Sequence, residues 1–125
     1  MKNKTWSGRF AKAINEDVLD FSQSLTIDIV LYDADIMVTE AHVEMLGRCS
    51  HLKATEVKKI KAGLKKIKKL AHSGELPWSI ELEDVHMNIE HALISEIGEI
   101  GKKIHLGRSR NDLVATDTRV YLREL

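Results

Sequence analysis

Apolar positions along the chain fall into four runs with a helical period, preceded by a stretch with none. Residues 1–27 mix Gly8, Asn15, Ser22, Ser24 and Thr26 with single apolar side chains. This predicts an irregular arm holding at most a short helix around residues 16–21. Asp28 reads as the cap of a first long helix, ending near residue 48. Ile29, Ala34, Ile36, Val38, Ala41, Val43 and Met45 give that helix a broad apolar stripe, and Gly47 suits its end. The second helix is the clearest. Val57, Ile60, Leu64, Ile67 and Ala71 recur at three- and four-residue steps, with Thr55 as a candidate N-cap and Glu56 at the positive end. Ser73-Gly74 stops it and Pro77 prevents its renewal.

A third helix is expected to begin between residues 79 and 84, with Val85, Ile89, Ala92, Leu93 and Ile97 on its apolar face and Gly98 and Gly101 at its end. A fourth follows Ser109, which forms a capping-box pattern with Asp112. Val114, Thr116, Asp117, Val120, Tyr121 and Leu125 continue in helical register to the last residue, with no stop signal. Such an ending is expected of a piece of a longer chain, with Val114, Val120 and Leu125 left uncovered. The reading is all-α: an arm (1–27), a helical domain (28–107) and the start of a further, bundle-forming helix (108–125).

Composition narrows the function. The 125 residues include one proline, consistent with helix, and carry 19 Lys+Arg against 19 Asp+Glu. Zero net charge excludes polyelectrolyte binding as a whole-molecule property. Charge is nonetheless segregated. Eight lysines crowd residues 53–69 on the second helix, whereas residues 71–100 hold acids and no Lys or Arg. The two segments are expected to pack as antiparallel neighbours. The lysine face has no interleaved aromatic or arginine, so it reads as a solvated face and nucleic-acid binding is not expected. No apolar run reaches a membrane span and no signal peptide opens the chain, so no membrane partner is expected. The single Cys49 excludes an internal disulfide and fits a reducing, cytoplasmic setting. Met37, Met45 and Met87 read as core filler, and Trp6 and Trp78 as packing for the arm and the Pro77 loop.

The sharpest candidate for chemistry is Gly107-Arg108-Ser109-Arg110-Asn111-Asp112. Unsatisfied N–H groups at a helix start favour anions, and arginine adds a planar fork that grips carboxylate or phosphate. A capped helix with solvated arginines is the plain alternative. His86 and Glu90 stand four residues apart with His91 adjacent, a spacing open to metal but equally to ordinary helix-face pairing.

The run from His105 to Asp117 resembles the first signature region of the argininosuccinate lyases, within the fumarase/aspartase superfamily. Three other segments agree in order: Trp6-Ser7-Gly8-Arg9-Phe10, Phe21-Ser22-Gln23-Ser24-Leu25 and Glu83-Asp84-Val85-His86. The chain departs from the family pattern at Leu113, where glutamine is usual, at Leu106 in place of threonine and at Ser7 in place of glycine.

The resemblance implies a β-elimination that splits argininosuccinate into arginine and fumarate, with neither cofactor nor metal. It implies substrate-binding roles for Ser24, Ser109, Arg110, Asn111 and, as a site-proximal histidine, His86. It places the acid, the base and the rest of the site outside this segment, in a homotetramer whose subunits share each site. On that reading the chain alone is inactive and self-associates. Asp84 is expected to hold an arginine or a helix end rather than act as a base. A lyase for adenylosuccinate or aspartate, or a non-catalytic binding module, are the alternative readings.

Overall fold

The computed structural model describes residues 15–125, so the Trp6–Phe10 motif and most of the expected arm lie outside the described residues. Six α-helices follow in order: α1 (Glu16–Ser22), α2 (Leu25–Asp28), α3 (Tyr32–Arg48), α4 (Ala54–His72), α5 (Val85–Ile97) and α6 (Arg110–Glu124). Short 3-10 turns lie at Ile29–Leu31, Ile80–Leu82 and Glu99–His105. The all-α expectation holds.

The long helices bury the faces their periodicity marks. Ile36, Val43 and Leu46 from α3, Ile60, Leu64 and Ile67 from α4, and Val85, Ile89 and Leu93 from α5 share one core. Leu25, Leu52, Leu76 and Ile104 close its ends. Helix α6 lies against α3 and buries Leu113. The family's usual polar residue is therefore replaced here by a side chain that faces the interior, not the rim where Asn111 sits.

Several local expectations are corrected. Ser24 caps a helix that starts at Leu25, so Asp28 lies inside a helical turn and does not cap α3. Its carboxylate instead accepts the backbone N–H of Val85, at the start of α5. The α4 cap is Lys53, not Thr55. Glu56 Oε2 accepts the Lys53 N–H at 2.8 Å, which satisfies the donor from the third helical position. Gly47 does not end α3 by conformation, since the left-handed residue is Ser50. What it supplies is space: a Cβ there would stand 2.7 Å from Val57 Cγ2. Met37 and Met45 are exposed, not core.

Charge segregation draws α4 toward two neighbours. Lys66 pairs with Glu96 of α5 at 2.7 Å, but Lys61 pairs with Glu44 and Lys68 with Asp33, both on α3. The acidic partner of the lysine helix is therefore shared between α3 and α5.

Candidate functional site

Three helix starts meet on one rim. Helix α2 begins after Ser24, α5 after Asp84 and α6 after Ser109. Each start presents backbone N–H groups without an intrahelical acceptor. The backbone N–H groups of Ser24 and Leu25 both donate to the Glu83 carbonyl, at 2.8 and 3.0 Å. This docks the Ser24 segment onto the turn that opens α5. Glu83 itself adopts φ +70°, a left-handed conformation uncommon for a residue with a side chain.

Polar side chains complete the junction. Ser24 Oγ donates to Asp28 Oδ2 at 2.6 Å, while Asp28 Oδ1 accepts the Val85 N–H at 3.1 Å. Next door, Asp84 Oδ1 accepts the Met87 N–H at 2.7 Å and so caps α5. The same carboxylate takes Arg110 Nη1, at 2.6 and 2.8 Å to its two oxygens. Asp84 thus does both things expected of it, holding an arginine and a helix end. One nitrogen of Arg110 makes both bonds; its other guanidinium nitrogens have no partner among the described residues. Ser109 and Asp112 form the capping box, with the Ser109 N–H donating to Asp112 Oδ2 at 2.8 Å. These bonds hold the Asp112 carboxyl below its ordinary range. Asn111 stands exposed on the first turn of α6.

The structure therefore brings Ser24 and Arg110 to one junction through Asp28, Val85 and Asp84, with Asn111 exposed as the next residue of α6. His86 is placed otherwise. It is 4% exposed, turned into the bundle, with Nδ1 hydrogen-bonded to Asp35 Oδ2 and 3.5 Å from Asp117 Oδ2. Nor do His86, Glu90 and His91 form a group, because Glu90 pairs with His105 at 2.7 Å and His91 is exposed.

Sequence reading missed the buried polar set around His86. Asp35 and Thr39 come from α3 and Asp117 from α6, all at 2% exposure or less. Thr39 Oγ1 donates to Asp35 Oδ1 at 3.2 Å and receives Arg108 Nη2 at 2.9 Å. The only available signal was an acid inside an apolar stretch, between Ala34 and Ile36, which a helical period alone assigns to no face. Burial weighs most on the His86 imidazolium and opposes it, yet the Asp35 bond and the charges of Asp35, Asp84 and Asp117 outweigh it and raise its pKa. Burial, reinforced by the Asp35 charge, raises the Asp117 carboxyl to about 7. Burial lowers the Arg108 pKa, against the pull of Asp35 and Asp117. Oxygen and nitrogen atoms of Asp35, His86 and Asp117 lie within 4.8 Å of one another. Positive charge for these acids comes from within the protein, from Arg108 and the imidazole.

Two open pockets, of about 560 and 750 Å³, sit elsewhere, at the corner between α3 and α4 around Gly47 and Ala54.

Residues 8–125 match the family model described as lyase. The argininosuccinate lyase of Geobacillus thermodenitrificans is 50% identical over 97% of this chain, and that of Ruminiclostridium cellulolyticum 47% over 97%. The argininosuccinate lyase of Neisseria gonorrhoeae is 44% identical over 99% of it. The chain spans about a quarter of the length of these curated relatives, 26% of the first two and 27% of the third.

Proposed function

This chain belongs to the lyase family, and from that premise we propose that it supplies part of the substrate site of an argininosuccinate lyase. The reaction is β-elimination of argininosuccinate to arginine and fumarate, a step of arginine biosynthesis. The observation that carries the reading is the convergence of three helix starts, with Ser24, Arg110 and Asn111 on one rim.

The chemistry fits the rim. Removing a proton from the carbon next to a carboxylate moves negative charge onto that carboxylate. Donors fixed in advance around the developing charge lower the barrier without reorganising. Arg110 offers the guanidinium fork, already oriented by Asp84. Asn111 offers an amide, and the start of α6 offers an oriented dipole. Ser24, steered by Asp28, and Ser109 add hydroxyl contacts at the same edge. His86, being interior, acts on the rim only through its neighbours.

The acid and base belong to other segments of the full enzyme, which works as a cytoplasmic homotetramer without cofactor. No helix among the described residues is long and apolar enough to cross a membrane. Nucleic acid is not a partner on this reading. The test is fumarate binding to this chain, followed by amide and side-chain NMR shifts. Perturbations at Ser24, Arg110 and Asn111 together are expected, lost in Arg110→Ala. Shifts scattered over the lysine helix instead would overturn the assignment.

A further inference from the structure

Arg110, Leu113 and Asp117 lie on one face of α6, at steps of three and four residues. Two ionic contacts, two helical turns apart, therefore tie this face to α5. At the rim Arg110 meets Asp84, just ahead of the first residue of α5. Inside, Asp117 faces His86, two residues further along the same helix. Asp35 of α3 bonds the same imidazole nitrogen from another side. Through Thr39 the set continues to Arg108, directly before the Ser109 cap, and Arg108 Nε donates to the Ile104 carbonyl at 3.1 Å. Asp117 carries both its oxygens buried and without a conventional hydrogen-bond partner among the described residues.

We propose that Asp117, through the Asp35–His86 pair, is a positioning residue that sets how the first turn of α6 presents Arg110 and Asn111. The inference rests on reading that turn as the anion-binding rim. Two carboxyls and one imidazole nitrogen share a buried space, so the charge on Asp117 decides what the pair can tolerate. With a proton, Asp117 leaves the imidazolium to Asp35 and packs against it as a neutral group. Without one, two carboxylates face each other, and the cheapest relief is a shift of α6 away from α3 and α5. A shift of α6 moves Arg110 relative to Asp84. The groups facing this centre are Asp35 from α3, His86 and the nearby Asp84 from α5, and Arg108 from the segment before α6. Arg108 in turn feels Arg110 and Glu90, so the first turn of α6 and the interior are electrostatically joined.

The experiment is a pH titration of this chain by NMR, observing the Asp117 Cγ, the His86 ring, the Arg110 Nε and the amides of residues 110–112. The expected result is an Asp117 inflection near pH 7 with a coincident step at Arg110 and Asn111. Asp117→Asn, of the same shape but unable to ionise, removes that step. His42→Gln and His105→Gln retain it; both histidines lie at the 105–108 turn, His42 bonded to the Leu106 carbonyl and His105 to Glu90. An Asp117 signal that titrates in the ordinary carboxylate range overturns the proposal. So does a step that survives Asp117→Asn, or an Asp117 inflection with no response at residues 110–112. Should Asp117→Asn fail to fold, coincidence of the midpoints in the unaltered chain decides the matter. Fumarate added to the same sample reports separately on the rim. A failure to bind counts against the anion site and leaves the coupling between Asp117 and Arg110 measurable.

Discussion

A carboxyl group with no access to water and a second carboxylate beside it keeps its proton. Between the ordinary value of 3.8 and about 7, folded Asp117 holds a proton that the unfolded chain has released. Stability therefore falls as pH rises across that window. His86 runs the same way. Its pKa is raised in the folded state, so its contribution is complete below about 6.5 and is lost as pH climbs through the folded value. Acid acts oppositely. Bonds from His72 and Lys68 overcome the burial of Asp33 and lower its pKa, and Glu44 is lowered by Lys61. Those contributions are lost as pH falls below about 4. Urea unfolding is thus expected to show greatest stability near pH 4–5, with a decline on the order of 3 kcal/mol by about pH 7 from Asp117 that His86 extends to higher pH. A flat profile from pH 6 to 8.5 would show that Asp117 and His86 do not titrate as a buried set. The rim yields a second expectation at this scale. Asp84 serves α5 and Arg110 at once, so Asp84→Ala removes a cap and an ion-pair partner, costing about 1–3 kcal/mol. Arg110→Ala costs about 0–1 kcal/mol, because the pair is partly exposed and the cap survives. Equal costs in chemical denaturation would mean that the cap carries nothing.

At the scale of helices, α4 approaches α5 through a missing side chain. A Cβ on Gly63 would stand 2.7 Å from Leu93 Cδ1 and 2.9 Å from Ile97 Cγ2. Leu93 is fully buried and has no room to yield. Alanine gains about 1 kcal/mol of helix propensity over glycine, but overpacking costs about 1–3 kcal/mol. Gly63→Ala is therefore expected to lower the melting temperature, and a rise would show that the interface is looser than its distances. Gly63 also marks what sequence could reveal. The periods of α4 and α5 named their core faces correctly, because burial on one side is what writes a 3.6-residue pattern. The Ser109–Asp112 box fixed the start of α6 for a similar reason: the bond is local. Contacts that join distant segments left no such trace. Asp28 looks like any cap of the helix that follows it, and only the fold shows it capping α5. Asp35, His86 and Asp117 are separated by many residues, so nothing in their spacing announces that they meet. The rim fell between these cases. Arg110 and Asn111 were legible as a helix start suited to an anion and Ser24 only through family resemblance, whereas the meeting of the starts of α2, α5 and α6 became visible only in the folded chain.

For the molecule as a whole, α6 has two unlike faces. Arg110, Leu113, Asp117 and Tyr121 turn toward the bundle, whereas Val114, Leu122 and Leu125 are 39%, 61% and 85% exposed. The last three fall on one stripe with Thr118, at steps of three and four residues. Val120, expected beside them, is half-buried instead. An exposed apolar stripe on a surface helix loses free energy to water unless something covers it. In solution the available cover is a second copy of this chain. Sedimentation equilibrium is expected to show reversible self-association that weakens in Leu122→Lys, with helicity unchanged. Leu122 lies beyond the rim, so the substitution should leave fumarate-induced shifts at Arg110 in place. If the chain is strictly monomeric at high concentration, the stripe is tolerated in water and the contact does not form. If Leu122→Lys disperses the oligomer and also abolishes the shifts at Arg110, the rim requires a neighbouring copy to bind its anion.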